Sequence, residues 1–348
     1  MARRGLAQRF PVCWYQQRLI PLLWPLLPFS WLFGLIAGCR RALYRCGALT
    51  AHRLPVPVIV VGNLTVGGSG KTPLVLWLVR RLQEHGWRPG IISRGYGGKA
   101  RQAQPVHRDS VSSLVGDEPL LLARRSGVPV FVGRDRVASA QALLAAHPEC
   151  NLLVSDDGLQ HYRLQRSIEV AVFDGRGCGN GCLLPAGPLR EPLHRLANVS
   201  ALVWNGSRDP QLLPRACSPQ QFDMQLVGQR FSAANAAEKQ CDACALRGRR
   251  LHAVAGIGDP RRFFAQLRAL GLDFEEHPFP DHHAYSAADL AFANDGVLLM
   301  TEKDAVKCAA LVTGEAWALP VDAVITAPPD QPGLIETILE QLRGRTPA

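Results

Sequence analysis

Acidic side chains are scarce: 29 Asp and Glu stand against 39 Lys and Arg in 348 residues, leaving a net charge of +10. That balance suits an anionic partner, whether nucleic acid, an acidic lipid surface or a phosphorylated substrate. Zinc-finger spacing is missing, as is any RNP-like aromatic motif, so no nucleic-acid partner is expected. A disulfide framework is missing too, because the ten cysteines are scattered through a long chain, which points to a reducing compartment. Cys241-x-x-Cys244 and Cys178-x3-Cys182 have metal-like spacing, yet neither has a second pair or a histidine at finger spacing.

What the chain does contain is a phosphate-holding pattern. Residues 57–82 read PVIVVGNLTVGGSGKTPLVLWLVRRL: a β-branched run, a glycine loop, then a helix with one apolar stripe. Gly67, Gly68 and Gly70 let backbone N–H groups converge, and Lys71 and Thr72 open the helix with its positive dipole end facing them. The strict pattern GxxxxGK[ST] asks for glycine where Thr65 stands. Thr65, Val66, Gly67, Gly68, Ser69, Gly70, Lys71 and Thr72 are therefore an imperfect match in the right strand–loop–helix context. They predict a site for ATP and Mg²⁺, with Lys71 neutralising the β- and γ-phosphates and Thr72 ligating the metal. The alternative is a membrane-associated partitioning-type switch ATPase, whose loop also reads GGxGKT but carries lysine where this chain has Val66. A nucleotide-binding regulator that hydrolyses nothing is a third class.

Downstream, strand and helix patterns alternate as in a doubly wound parallel sheet. A strand over 89–93 ends in RGYGG, which puts Arg94 and Tyr96 either at substrate or in a plain turn. GDEP at 116–119 opens a helix, where Asp117 either complements the dipole or takes a proton from an attacking hydroxyl. A strand tipped by Asp156 and Asp157 has the place of a Walker B acid, and two adjacent acids call for a cation. Gln160 and His161 follow, to orient phosphate or to serve structure. In the long loop 175–191, Arg190 either stabilises the transferring phosphoryl group, with Glu191 near the metal, or pairs with Glu191 on the surface. Beyond Trp204 the signal weakens to a ribbon over 222–231, a linker over 235–250, strands at 251–256 and 296–300, and the segment TEKD at 301–304.

Charge vanishes altogether from residues 19–38, twenty positions bracketed by Arg18 and by Arg40, Arg41 and Arg45. That length can cross a bilayer if helical, but Pro21, Pro25 and Pro28 would interrupt a straight span. The expectation is an interfacial element, with Trp14, Trp24, Phe29 and Trp31 at headgroup level and the arginines on anionic lipid. A single span remains an alternative. So does an export signal running from Arg3 and Arg4 to Ile36-Ala37-Gly38-Cys39, although export would part the phosphate loop from its ATP.

TVGGSGKT, SRGYGG, GDEP, SDDGLQH and LLPAGPLRE, in this order across nearly the whole chain, resemble the tetraacyldisaccharide 4'-kinases of lipid A biosynthesis. The threonine at 65 is similar to what that family shows. The resemblance implies ATP-dependent phosphorylation of the 4'-hydroxyl of an acylated glucosamine disaccharide 1-phosphate, at the cytoplasmic face of the inner membrane. It implies that Asp117 is the catalytic base and that His282, in Phe279-Pro280-Asp281-His282, pairs with it across two closing lobes. Lys71 and Arg190 would be the catalytic cations, and Thr72, Asp156, Asp157 and Glu191 the metal site. Arg94, Tyr96, Gln160 and His161 would lie at the substrate, and TEKD would help hold nucleotide; protein partners are not indicated. The expected architecture is α/β: a membrane-associated segment 1–48, a P-loop NTPase-type core 49–222 and a smaller α/β C-terminal lobe 223–348.

Overall fold

The structure, a computed structural model, describes residues 13–16, 18–206, 208 and 219–343. Arg3 and Arg4, which opened the export-signal alternative, lie outside them. Among the described residues fifteen strands form two sheets. The first begins with β1 (Val58–Gly62), β2 (Pro89–Ser93), β3 (Gln104–Pro105), β4 (Val130–Val132), β5 (Leu152–Asp156), β6 (Ile168–Asp174) and β7 (Ala201–Asn205). β8 (Gln220–Val227) follows β7 in parallel, and β15 (Asp322–Thr326) closes that edge antiparallel to β8. The spatial order is β15-β8-β7-β6-β1-β5-β2-β4-β3. The central strands are buried along their whole length, which is why their sequences run apolar without alternation.

The second sheet holds β9 (Arg230–Ala233), β10 (Ala236–Asp242), β11 (Leu251–Ala255), β12 (Glu275–Pro278), β13 (Val297–Thr301) and β14 (Ala316–Leu319). Its order is β10-β9-β14-β13-β11-β12, with β11, β12, β13 and β14 parallel. Three expectations change here. Residues 222–231 are not one ribbon, because β8 and β9 belong to different sheets. Residues 235–250 are not a plain linker: β10 pairs antiparallel with β9 through a register shift, and polar side chains suit its exposed edge. The boundary at 222/223 falls inside β8, and the chain returns to the large sheet through β15.

Among the described residues seven α-helices of seven or more residues matter to the layout. α1 (Leu27–Arg45) follows a 3₁₀ turn (Pro21–Leu26), α2 (Lys71–Glu84) follows the glycine loop, and α3 (Asp117–Ser126) follows GDEP's glycine. α4 (Arg136–Ala146) is capped by Asp135, whose carboxylate accepts from the Val137 amide at 3.0 Å. α5 (Pro260–Ala269) and α6 (Glu302–Cys308) serve the small sheet, and α7 (Leu334–Leu342) comes back to the large one. Leu74, Val75, Leu78, Val79 and Leu82 of α2 are buried with Leu334, Ile335, Ile338 and Leu342 of α7 in one core. Truncating one such leucine to alanine costs about 2–5 kcal/mol, so α7 is part of what holds the helix after the glycine loop to its sheet.

The prolines near the N-terminus do not break the long helix. Pro21 and Pro25 fall in the 3₁₀ turn and Pro28 in the first turn of α1, where a missing N–H costs nothing. The stretch Pro21–Arg45 is apolar enough to cross a membrane and only 11% buried over its most apolar window. Trp24, Phe29, Trp31, Leu35 and Ile36 project outward. The inner side docks on the loop 175–191: Ser30 Oγ donates to the Leu183 carbonyl (2.8 Å) and accepts from the Ala186 amide (3.0 Å). Trp14 is half-buried against the same loop. Its indole donates to the Pro185 carbonyl at 3.0 Å, within the protein.

Candidate active site

Strand register sets the site. Val61 of β1 is paired with Asp156 of β5, and Asp174 of β6 with Asn205 of β7, so the C-terminal ends of the central strands deliver their polar residues to one edge. Gly70, with φ of 89°, lies in the left-handed region at the mouth of α2, and a Cβ there would stand 2.2 Å from Asn205 Nδ2. Only glycine fits. Asn205 in turn donates to the Ser69 carbonyl (3.0 Å), and Tyr15 donates to the Val66 carbonyl (2.7 Å), so side chains from both ends of the large unit hold the loop's shape.

Lys71 Nζ lies 3.4 Å from Asn63 Oδ1 and 3.5 Å from Asp157 Oδ1. Arg190 grips Asp157 through both carboxylate oxygens, at 3.1 and 3.2 Å. Burial alone would raise the Asp157 carboxyl, but Lys71 and Arg190 outweigh it and bring it down to about 2. Its neighbour goes the other way: burial, reinforced by the Glu118 charge, pushes the Asp156 carboxyl up to about 7. Two adjacent acids thus sit in opposite protonation regimes. Asp156 Oδ2 accepts from Ser93 Oγ at 3.4 Å, while buried Oδ1 has no hydrogen-bond partner, and neither does Ser69 Oγ in the loop. An orphaned, buried carboxylate oxygen beside a glycine loop fits a hard divalent cation. Glu191 is less open, since it accepts from Gln160 Nε2 (3.1 Å) and from the Tyr162 hydroxyl. Gln160 also donates to the Asn63 carbonyl (3.1 Å), so it ties the end of β1 to Glu191. His161 is half-buried, and that desolvation, with Arg136, lowers its imidazole to about 4 and keeps it neutral.

Across from this cradle the small sheet contributes a second group. Gly68 and Gly258 approach so closely that a Cβ on Gly258 would meet the Gly68 nitrogen at 2.9 Å. Arg176 spans the seam, donating to the carbonyls of Gly68 (3.0 Å) and Gly258 (3.4 Å). His282, with φ of 58°, sets Nδ1 3.5 Å from Asp117 Oδ2, without a hydrogen bond, and lies tilted by 57° to the Tyr96 ring 4.9 Å away. Lys303 Nζ donates to Glu118 (3.0 Å), Asp281 (3.2 Å) and His282 Nε2 (3.2 Å). An ammonium has no acceptor, so His282 Nε2 accepts and its ring proton sits on Nδ1, toward Asp117. Although burial opposes it, the pairing with Glu118 and Asp281 raises the Lys303 pKa and keeps that donor charged. Between the two sides lies a cavity of 460 Å³ bounded by Ser69, Lys71, Glu118, Gly258, Arg262 and Lys303. Arg94 is exposed beside Tyr96 on the same strand end.

Asp117, His282, Lys71, Arg190 and the acid pair are thus drawn together from five separate stretches of chain. Tyr15, Arg176, Asn205, Arg262 and Lys303 had no sequence signal marking them as contributors, except that Asn205 ends a buried strand and Lys303 sits in TEKD. Among the described residues no cluster of three metal-ligating side chains includes a cysteine.

Residues 22–343 match the family model described as tetraacyldisaccharide-1-P 4'-kinase. The chain belongs to this family. Curated relatives named tetraacyldisaccharide 4'-kinase include one from Dechloromonas aromatica (strain RCB), 55% identical over 95% of this chain and 96% of the relative. Another, from Azoarcus sp. (strain BH72), is 55% identical over 100% of this chain and 99% of its own length. The crystal structure of LpxK from Aquifex aeolicus in complex with ATP superposes with a TM-score of 0.75 at 31% identity, covering 92% of this chain and 99% of that one. The family relation thus extends from the apolar helix to α7, and the mixed α/β architecture with its parallel sheet is shared with that solved member.

Proposed function

We propose that the chain transfers the γ-phosphoryl group of ATP to the 4'-hydroxyl of a tetraacylated glucosamine disaccharide 1-phosphate, at the cytoplasmic face of the inner membrane. One observation carries the reading beyond family membership: a base-like pair, Asp117 and His282, adjoins the cavity of the Lys71 loop through Glu118 and Lys303, which line it and hydrogen-bond to each other, Lys303 also donating to His282. Asp117 would take the proton of the attacking hydroxyl, and His282, whose Nδ1 stands 3.5 Å away without a hydrogen bond in the free chain, would close on the carboxylate and orient it once substrate is bound. Lys71 and the loop amides at 67–72 hold the β- and γ-phosphates, and Arg190, poised on Asp157, offers charge to the transferring group. Asp156 and Thr72 would hold Mg²⁺, with Asp157 and Glu191 around them; bound there, the ion neutralises charge developing on the phosphate oxygens. Tyr96 and Arg94, exposed beside His282, face the side from which the disaccharide headgroup would arrive.

The lipid has to reach this cavity, and α1 supports a route. Its outer aromatic and aliphatic face suits the acyl boundary, its Arg40, Arg41 and Arg45 suit anionic headgroups, and its inner face sits on the loop that carries Arg190. The test is transfer of label from γ-labelled ATP in washed membranes supplied with the disaccharide 1-phosphate. Label in the lipid is the expected outcome. Label released only as free phosphate would instead favour a switch ATPase, and label staying in ATP a regulator.

A further inference from the structure

At the opposite end of the small sheet from the cavity, three side chains that phosphoryl transfer does not use converge. His252 is the second residue of β11; Glu275 and His277 are the first and third of β12. The register pairs His252 with Glu275 and Val254 with His277, so the two-residue period sets all three side chains on one face of the sheet. His252 Nδ1 lies 3.2 Å from His277 Nε2 and 3.5 Å from Glu275 Oε2, and Glu275 Oε1 is 3.9 Å from His277 Nε2. A tetrahedral ion with bonds of about 2.0–2.1 Å needs donor atoms roughly 3.3–3.4 Å apart. The two nitrogens already stand nearly that far apart, the carboxylate faces them with one oxygen each, and one donor from each residue falls within 4.8 Å of the others.

The surroundings fit the same role. His252 is 2% exposed, an imidazole buried on a sheet face otherwise made of residues such as Val254 and Leu298. Phe292 stacks on His277 at 3.6 Å and fixes its ring plane. The outer nitrogen of His252, Nε2, has no hydrogen-bond partner, and the carboxylate of Asp295 stands 3.5 Å from it. A carboxylate behind the second nitrogen is what a metal-bound histidine usually has, because it fixes the tautomer and raises the basicity of the ligating nitrogen. Asp295 is itself paired with Arg250.

We propose that His252, Glu275 and His277 bind a transition-metal dication of the zinc class, with the fourth position left to water. Imidazole and carboxylate donors at tetrahedral spacing favour Zn²⁺ over Mg²⁺, which takes more oxygens in octahedral geometry. The ion would staple edge strand β12 to β11, just ahead of residues 279–282, which lead to His282. Nothing in this site depends on the phosphoryl-transfer reading.

The chelator-stripped full chain is titrated with Zn²⁺ in the presence of excess Mg²⁺, which occupies the Asp156 region. Calorimetry should show one tight Zn²⁺ per chain, and Co²⁺ should give a tetrahedral absorption spectrum without thiolate charge-transfer bands. His277→Ala and Glu275→Gln, both at solvent-accessible positions, should weaken Zn²⁺ at least tenfold, and Asp295→Asn about tenfold. Cys241→Ser should change nothing. Zn²⁺ should also raise the melting temperature of the unsubstituted chain and not that of His277→Ala. Absence of tight Zn²⁺, or equal affinity in His277→Ala, would reduce the pair to an ordinary imidazole–imidazole hydrogen bond and overturn the proposal.

Discussion

The large sheet and the small sheet bring different kinds of group to the seam between them. The large one supplies a glycine loop and carboxylates fixed on strand ends, contiguous in sequence and locked by register: Val61 beside Asp156, Asp174 beside Asn205. The small one supplies side chains that reach across, Lys303 from the first turn of α6 and His282 from a positive-φ position after β12. A phosphate cradle must be rigid before its ligand arrives, whereas a base that has to accept a hydroxyl can be completed by a partner from elsewhere. The two halves meet at Glu118, whose carboxyl is kept low, against its burial, by Lys303 from one side and Lys71 from the other.

Removing the proposed base, Asp117, should break the comparison most severely. Asp117→Asn is expected to lower kcat by about 10²–10⁴-fold, with nucleotide binding retained, because a general base acts in the transition state and the cradle is untouched. Turnover at the unsubstituted level would remove Asp117 from the chemistry. A smaller loss is expected when the small lobe's latch is cut. Lys303→Met takes the donor away from His282 Nε2, frees the ring to exchange tautomers, and should lower kcat by about 10²-fold, the scale of a misplaced group. Nitrogen chemical shifts of the His282 ring separate this from simple unfolding. They should report a fixed Nδ1–H in the unsubstituted chain and a mixture in the variant, and an unchanged tautomer would discard the latch.

The same division governs how much was legible in the sequence. The run 57–82, the strand over 89–93 and the aspartate pair at 156–157 carry their structure locally, through an unbroken β-branched stretch, a glycine that a side chain could not replace, and an N-cap such as Asp135. Residues 222–231 misled because alternation identifies a strand and not its sheet, and β8 and β9 part at Gly228. The prolines at 21, 25 and 28 read as breaks, yet Pro21 and Pro28 fall in first turns and Pro25 in the short 3₁₀ turn ahead of α1, so the long helix keeps its interior free of proline. Arg262 and Tyr15 carry no local mark at all, and Lys303 none beyond its place in TEKD, since their contacts exist only once the two sheets and the N-terminal segment have come together. His282 was legible through resemblance alone.

The smallest effect bears on the large lobe by itself, where Asp156 and Asp157 differ most. With its carboxyl pushed up to about 7, Asp156 keeps a proton in the folded chain that the unfolded chain, near the ordinary value of about 3.9, has already released. Between about pH 4 and pH 7 the folded state therefore binds more protons, so this residue's contribution to stability falls as pH rises through that window and stays low above it. Asp157 has the opposite sign: its depressed carboxyl stabilises the fold above about pH 4, and that contribution is lost as pH falls toward 2. Asp156→Asn should accordingly raise the melting temperature of the metal-free chain at pH 8 by at least about 2 °C, the shift expected for roughly 1 kcal/mol. Near pH 4 the variant and the unsubstituted chain should melt together. Mg²⁺ should stabilise the unsubstituted chain and leave the variant nearly unmoved, because the carboxylate that destabilises the empty cradle is the one that recovers its cost when a cation arrives. A variant less stable at pH 8 without metal would mean that the buried charge is already compensated, and the contrast between the two aspartates would then need another cause.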